Sequence, residues 1–274
     1  MRPSICLWCF VLVAPTLGCG DSDAVDGTGG SGAGVAQSGG SQAASTGNGF
    51  ATSNGSGNGS GSGMGGGDCG SNLIGTLRDF QAAHPDFEDF LGTDPGIVLP
   101  DLGPDKKPVY AGSAGNPTTT DQTNFDQWFR DVAGVNQSVA FTLMLTPNGN
   151  VYTFDDSDFF PIDDQLFGNE GNAHNYHFTY ELHTTFLYSG GETFSFTGDD
   201  DLFTFVNNKL AIDLGGVHGA MSDTIDLDAR AAELGLTPGN VYPLDFFFAE
   251  RHTSESNFRV DTTLIFIDCG EPPQ

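Results

Sequence analysis

Basic residues are scarce in this chain of 274 residues: 9 Lys and Arg stand against 36 Asp and Glu, for a formal net charge of −27. A surface so charged repels phosphate backbones and anionic lipid headgroups, which excludes nucleic acid as a partner and leaves divalent cations and neutral ligands such as sugars compatible. Long apolar runs are also lacking. The run over residues 5–14 is too short to span a bilayer and has the size of a signal-peptide core. Cysteine is sparse, and once Cys6 and Cys9 leave with a signal and Cys19 is set aside, only Cys69 and Cys269 remain; two cysteines so far apart cannot supply a zinc site unaided. No Gly-x-Ser-x-Gly elbow, zinc-binding helix or phosphate loop occurs, so the usual signatures of an enzyme are missing.

What is present divides the chain. Met1-Arg2-Pro3 and the apolar run behind it predict a signal peptide over residues 1–18, and Thr16-Leu17-Gly18-Cys19 resembles a lipoprotein cleavage site, with Cys19 as the lipidated residue. Thr16 departs from the usual leucine of that pattern. Residues 19–67 are almost entirely Gly, Ser, Ala, Asn and Thr, with too little apolar surface to offset the entropy of ordering, so a tether with a reach of roughly 35–40 Å is expected. A lipid at one end and a folded domain at the other would place the domain on the outer membrane or cell surface; without the lipid the protein would be secreted. Cys69 and Cys269 bracket everything that reads as folded, and in an exported chain a disulfide between them is the simple expectation.

Between those cysteines helix signals are few. Residues 76–83, 121–132 and 227–234 are expected to be short helices; Asp121 and Asp226 are candidate N-caps and Gly235 a C-terminal stop. Runs over 139–145, 151–154, 177–188, 192–197, 242–249 and 258–266 read as strands separated by turn signals. The fold class is therefore all-β with a few short helices, an antiparallel β-sandwich or barrel.

The stretch richest in chemical implication is Gly198-Asp199-Asp200-Asp201 followed by Leu202–Val206, Asn207-Asn208 and Lys209–Asp213. Asn-Asn suits the positive φ values of a two-residue turn, so a hairpin is predicted in which Leu202 pairs with Asp213 and Asp213 lies beside Asp201. Four carboxylates would then meet at the open end. At an effective dielectric of about 20 each close pair costs on the order of a few kcal/mol. Full hydration, a shared proton, backbone amides or a hard cation could offset this, and calcium is the usual cation for oxygen ligands.

The segments Asn175-Tyr-His-Phe-Thr-Tyr-Glu-Leu-His, Phe196-Thr-Gly-Asp-Asp-Asp, Ile212-Asp-Leu-Gly-Gly-Val-His218 and Phe248-Ala-Glu-Arg-His-Thr, together with Ser256-Asn-Phe-Arg-Val260, resemble the fibro-slime domain. That domain occurs in bacterial surface and extracellular-matrix proteins and is related to the protective-antigen-type β-barrel module. The resemblance covers most of residues 73–268 and implies a domain over 68–270 with a tail over 271–274. It also implies a site. In fungal flocculin adhesins the related module holds calcium with two adjacent aspartates joined by a cis peptide and an asparagine from a later loop, and sugar hydroxyls complete the shell. Counting back from Asn207 the paired acids are Asp199 and Asp200, and Asn257 is the later-loop candidate. Asp201 stands where the wider module often has glycine, and either adds a ligand or crowds the site. His218 and His252 are candidates to line the ligand groove, or else hold loops; Arg251 is expected to pair with Glu250, and Asp155, Asp156, Asp158, Asp163 and Asp164 to be solvated loop acids, with a second cation site as the alternative. The expected function is a non-enzymatic, calcium-dependent adhesion module binding a carbohydrate or matrix glycan; the alternative is a structural matrix protein with a protein partner and a purely structural cation.

Overall fold

The computed structural model describes residues 71–112 and 117–270; the signal segment, Cys19, the Gly/Ser-rich stretch, Cys69 and the 271–274 tail lie outside the described residues. Cys269 is disulfide-bonded. In chain order the strands are β1 (Asn72–Phe80), β2 (Gly92–Thr93), β3 (Asn136–Met144), β4 (Thr146–Asn148), β5 (Val151–Asp156), β6 (Phe178–Tyr188), β7 (Thr193–Gly198), β8 (Asp201–Val206), β9 (Lys209–Leu214), β10 (Gly216–Val217), β11 (Met221–Asp226), β12 (Asn240–Glu250), β13 (Phe258–Thr262) and β14 (Ile265–Asp268), with helices α1 (Gln122–Phe125) and α2 (Leu227–Leu234).

The strands form two main antiparallel sheets. A seven-stranded sheet runs β3-β1-β6-β12-β8-β9, with β14 also pairing β6, and a five-stranded sheet runs β11-β7-β13-β5-β4. β10 pairs with β2 in a small separate ladder. This is the expected antiparallel all-β class.

The run Phe246-Phe247-Phe248 shows how both faces of the large sheet are filled. Phe246 and Phe248 point into the core shared by the two sheets, where they meet Phe178, Phe194, Phe196 and Phe258. Phe247 points the other way, into a second core with Phe80, Phe87, Phe125, Trp128, Phe129, Phe203 and Phe205. The irregular segment between β1 and β3 covers that outer face, so β8 is buried at every position. Successive side chains of a strand alternate between faces, and a strand covered on both reads as a continuous apolar run.

Two expected helices differ from the structure. Residues 76–83 are not helical: most of this stretch belongs to β1, clamped between β3 and β6. Gly75 permits the close approach, since a Cβ there would lie 2.4 Å from the Glu181 carbonyl oxygen. Over 121–132 only α1 is helical, capped by Asp121 accepting the Asn124 N–H at 3.0 Å. Side chains take the carbonyls that a longer helix would use: Thr179 Oγ1 donates to Trp128 O, and Asn136 Nδ2 donates to Gln127 O and Arg130 O. Phe125, Trp128 and Phe129 are buried nonetheless. The third helix, α2, has the expected Asp226 N-cap and a left-handed Gly235 at its end.

Candidate functional site

The hairpin β8–β9 turns at Asn207-Asn208, with φ values of 51° and 65°. Its register differs from the simple count. A bulge shifts the ladder between Thr204 and Phe205, so Leu202 pairs with Leu214 and Asp213 with Phe203. Asp213 thereby shares a face with Asp201 across the ladder, where burial and then the Asp201 and Asp94 charges raise its pKa, and its Oδ2 accepts the Gly96 N–H at 2.7 Å. The four acids do not form one cluster.

Three chain crossings between the sheets meet at the open end of this hairpin. The first is the step from β7 to β8, made by Asp199 and Asp200, whose peptide bond is cis. The second is the loop from β12 to β13, which carries Arg251 to Asn257, and the third is the passage from β9 through β10 to β11, which carries His218. Gly198 pairs with Phe258 in the β7–β13 ladder, so the next residues outwards, Asp199 and Asn257, face each other. Asp199 Oδ1 accepts the Asn257 N–H at 2.6 Å and its Oδ2 accepts Asn257 Nδ2 at 2.9 Å. The structure thus brings Asn257 to the paired acids.

Asp200 joins the other two crossings. Its Oδ1 accepts the His218 N–H and its Oδ2 the Arg251 N–H, each at 3.1 Å. Burial raises its pKa, and the Asp201 and Asp199 charges add to this against the pull of Arg251. Glu250 is buried beside them with Oε2 unpartnered, and burial followed by the Asp200 and Asp199 charges raises it well above the usual carboxylate range.

Asp201 has a different role from its two neighbours. Its Oδ2 accepts Arg251 Nε at 2.6 Å and its Oδ1 accepts the Gly216 N–H at 2.7 Å, so both oxygens are engaged away from the pocket. Burial raises its pKa while the guanidinium pulls it back. Arg251 is therefore the partner of Asp201 and not of Glu250. It is fully buried, donates to the Asp86 and Thr118 carbonyls at 2.8 and 2.6 Å, and lies 4.6 Å from the centre of the Trp128 ring. Sequence reasoning missed this anchor because the partners are 50 residues apart in the chain.

Asp199 and Asp200 open on a pocket of about 150 Å³, lined also by Leu91, Val217, His218, His252 and the loop residues Ser254 and Glu255. Both histidines therefore line the pocket. Each also holds its loop: the His218 ring meets the Gly219 and Leu214 carbonyls, and His252 Nδ1 meets the Thr253 carbonyl at 2.7 Å. The second acidic group is not simply solvated. Asp155 pairs with Arg259, and Asp163 holds His174 and the Asn175 N–H.

Asp199 and Asp200 supply oxygen donors, as a hard cation requires, while the His218 ring nitrogens and His252 Nδ1 are turned to backbone carbonyls. Among the described residues no three His, Cys, Asp or Glu side chains converge as a metal site, so the protein offers two carboxylates and, with Nδ2 spent on Asp199, the neutral Oδ1 of Asn257. Burial favours the protonated forms of Asp200 and Glu250 beside a guanidinium already engaged by Asp201, and a cation bound there would displace those protons. The residues present fit calcium on these grounds.

Protein psiR of Dictyostelium discoideum is 41% identical over 202 residues, which cover 67% of this chain and 20% of psiR. Protein psiD of the same organism is 40% identical over 213 residues, covering 71% of this chain and 41% of psiD. The chain thus spans well under half the length of these curated relatives. Among solved structures, the PA14 sugar-binding domain from an RTX adhesin is 8% identical with a TM-score of 0.31, covering 73% of this chain and 95% of that domain. Residues 161–270, which hold the paired aspartates, the hairpin and the Asn257 loop, match the family model of the PA14 domain.

Proposed function

We propose that this chain is a calcium-dependent carbohydrate-binding module of the fibro-slime, protective-antigen type, acting in adhesion at a cell surface or in an extracellular matrix. The observation that carries the reading is the convergence of Asp199, Asp200 and Asn257: the two aspartates line one pocket, and Asn257 is bonded to Asp199 through its backbone and side-chain amides. Asp199, Asp200 and Asn257 Oδ1 would hold the ion, and calcium would supply a Lewis-acidic centre for paired hydroxyl groups. The chain's own residues do the rest: Asp199 fixes Asn257, Asp200 ties the His218 and Arg251 backbones in place, and His218 and His252 form the walls against which a sugar would rest. With only two carboxylates from the protein, positions remain for sugar oxygens in a shell that takes six to eight ligands. Surface display through a lipid on Cys19 completes the proposal; that cysteine lies outside the described residues.

A structural reading has its own support. Asp200 already ties two loops through backbone N–H groups, so a cation there could serve only to stiffen them. The two readings share a calcium response and differ in glycan dependence. Calcium at a hundredfold excess over its Kd stabilises the fold by about 2.7 kcal/mol, which for a domain of this size raises Tm by roughly 5–10 °C. Asp199→Asn should remove that shift. Glycan-array binding that requires calcium and is lost in the same variant supports the sugar reading; a calcium shift with no glycan bound leaves the structural one.

A further inference from the structure

The pocket beside Asp199 and Asp200 is small, about 150 Å³, below the range of roughly 300–1,000 Å³ in which extended ligands are held. It does not end there. The loop residues Ser254 and Glu255 that form one of its walls also line a second basin of about 440 Å³. Asn257 links the two, since its amide contacts Asp199 while it lines the second basin.

Three aromatic residues, Phe160, His174 and Tyr176, stand among the polar residues that line the second basin. Phe160 and His174 stack face to face, their ring centres 4.0 Å apart and their planes 8° from parallel. Tyr176 stands edge-on to both. His174 is held by Asp163, whose Oδ2 lies 2.6 Å from Nδ1, so the other ring nitrogen is left for a ligand. The His174 side chain is 40% exposed, and this stacked pair therefore presents a rigid, partly open platform. Aromatic faces with one polar handle suit ligands that are apolar on one side and hydroxylated on the other. Two acids, Asp158 and Glu255, line the basin, and no Lys or Arg lines either space.

Resting on the calcium-dependent reading of the first pocket, we infer that the site takes an oligosaccharide, one residue at Asp199–Asp200–Asn257 and the next across the Ser254–Glu255 wall on the Phe160–His174–Tyr176 platform. The second residue is a neutral or amino sugar. A uronic or sialic residue there would place its carboxylate among Asp158 and Glu255 with no Lys or Arg in the lining to meet it.

The test uses the full chain with saturating calcium and immobilised mono-, di- and trisaccharides of galactose, glucose, mannose and N-acetylglucosamine, with matched chains carrying glucosamine or glucuronic acid as the second residue. Wild-type protein should bind the best disaccharide roughly three- to tenfold more tightly than its terminal monosaccharide, the range of one aromatic contact. Glucosamine at the second position should bind and glucuronic acid should not. His174→Ala and Phe160→Ser should each reduce the disaccharide-to-monosaccharide ratio towards one, with wild-type melting in calcium as the folding check. A ratio unchanged in both variants, or equal binding of glucuronic acid, overturns the two-residue inference while calcium-dependent monosaccharide binding sustains the first pocket. Glycan binding that survives Asp199→Asn or needs no calcium overturns the first reading, and the absence of any glycan binding overturns both.

Discussion

Arg251→Ala is the substitution that most directly tests how the site is supported. The guanidinium is fully buried; it meets Asp201 at 2.6 Å and donates to the carbonyls of Asp86 and Thr118. Removing one partner of such a pair leaves the other charge buried and unpaired, which costs about 3–5 kcal/mol. The two carbonyls lose their donor, each worth about 1 kcal/mol, and the contact with Trp128 adds a few tenths to 1 kcal/mol or so. A loss of about 5–8 kcal/mol is a large share of the 5–15 kcal/mol that an ordinary domain has in total. Urea unfolding at pH 7 followed by Trp128 fluorescence should show a midpoint far below wild type, and melting should fall by roughly 10–30 °C. The double variant Arg251→Ala with Asp201→Asn should recover about 2 kcal/mol relative to Arg251→Ala alone, because the orphaned charge is gone. A loss under about 1 kcal/mol in the single variant, or a double variant that loses the sum of both singles, would refute the assignment of Asp201 to Arg251.

Gly198→Ala would place a Cβ 2.3 Å from the Asn257 carbonyl oxygen and 2.6 Å from the Phe196 ring; the expected cost is about 1–3 kcal/mol, together with loss of the calcium-dependent rise in Tm, measured by melting with and without the ion. His183 gives a pH test. Burial opposes its charge, but hydrogen bonds to Asp245 and Glu181 outweigh this and push the imidazole up to about 9. Because the folded value is raised, the stability this group contributes is complete below its unfolded pKa of about 6.5 and lost as pH rises through about 9. Urea midpoints should therefore decline across that window and His183→Gln should flatten the decline; an NMR titration of the ring with a midpoint below 7 would contradict the reasoning.

The elements legible in the sequence are those whose determinants are local. Asn207-Asn208 supplies both left-handed turn residues of the central hairpin, and Asp226 with Gly235 brackets α2, so each was readable from a few adjacent residues. β1 was not, because what makes residues 72–80 a strand is the pair of neighbours β3 and β6, and tertiary pairing overrides local pattern. The bulge that slips β9 by one residue has no signal around Ala211, and it sets Asp213 opposite Phe203, where its Oδ2 holds the Gly96 N–H instead of lining the pocket. The juxtaposition of Asp199 and Asn257 was expected only from resemblance to a known module; in the structure it follows from the β7–β13 register, which is set by residues 58 positions apart.

The carboxylates that composition alone would treat as one acidic patch are sorted by their partners. Asp213 holds the Gly96 backbone, Asp201 is neutralised by Arg251, and of the four hairpin acids Asp199 and Asp200 reach the pocket. Fewer acidic ligands mean weaker calcium affinity, since charge count and rigidity set the range in oxygen sites. On the reading proposed above, the ion and the sugar must then complete one another's binding, and linkage makes their effects reciprocal: whatever factor calcium adds to glycan affinity, glycan adds to calcium affinity. A coupling of 1–3 kcal/mol, roughly 5- to 150-fold, is typical. Calorimetric calcium titrations of the full chain with and without a saturating array-positive oligosaccharide should show such a gain, and it should vanish in Asn257→Ala, which removes a neutral oxygen without altering the charge. Equal calcium affinity in the presence and absence of glycan would mean that the two do not share a coordination shell, and the pocket would then hold its ion for the fold alone.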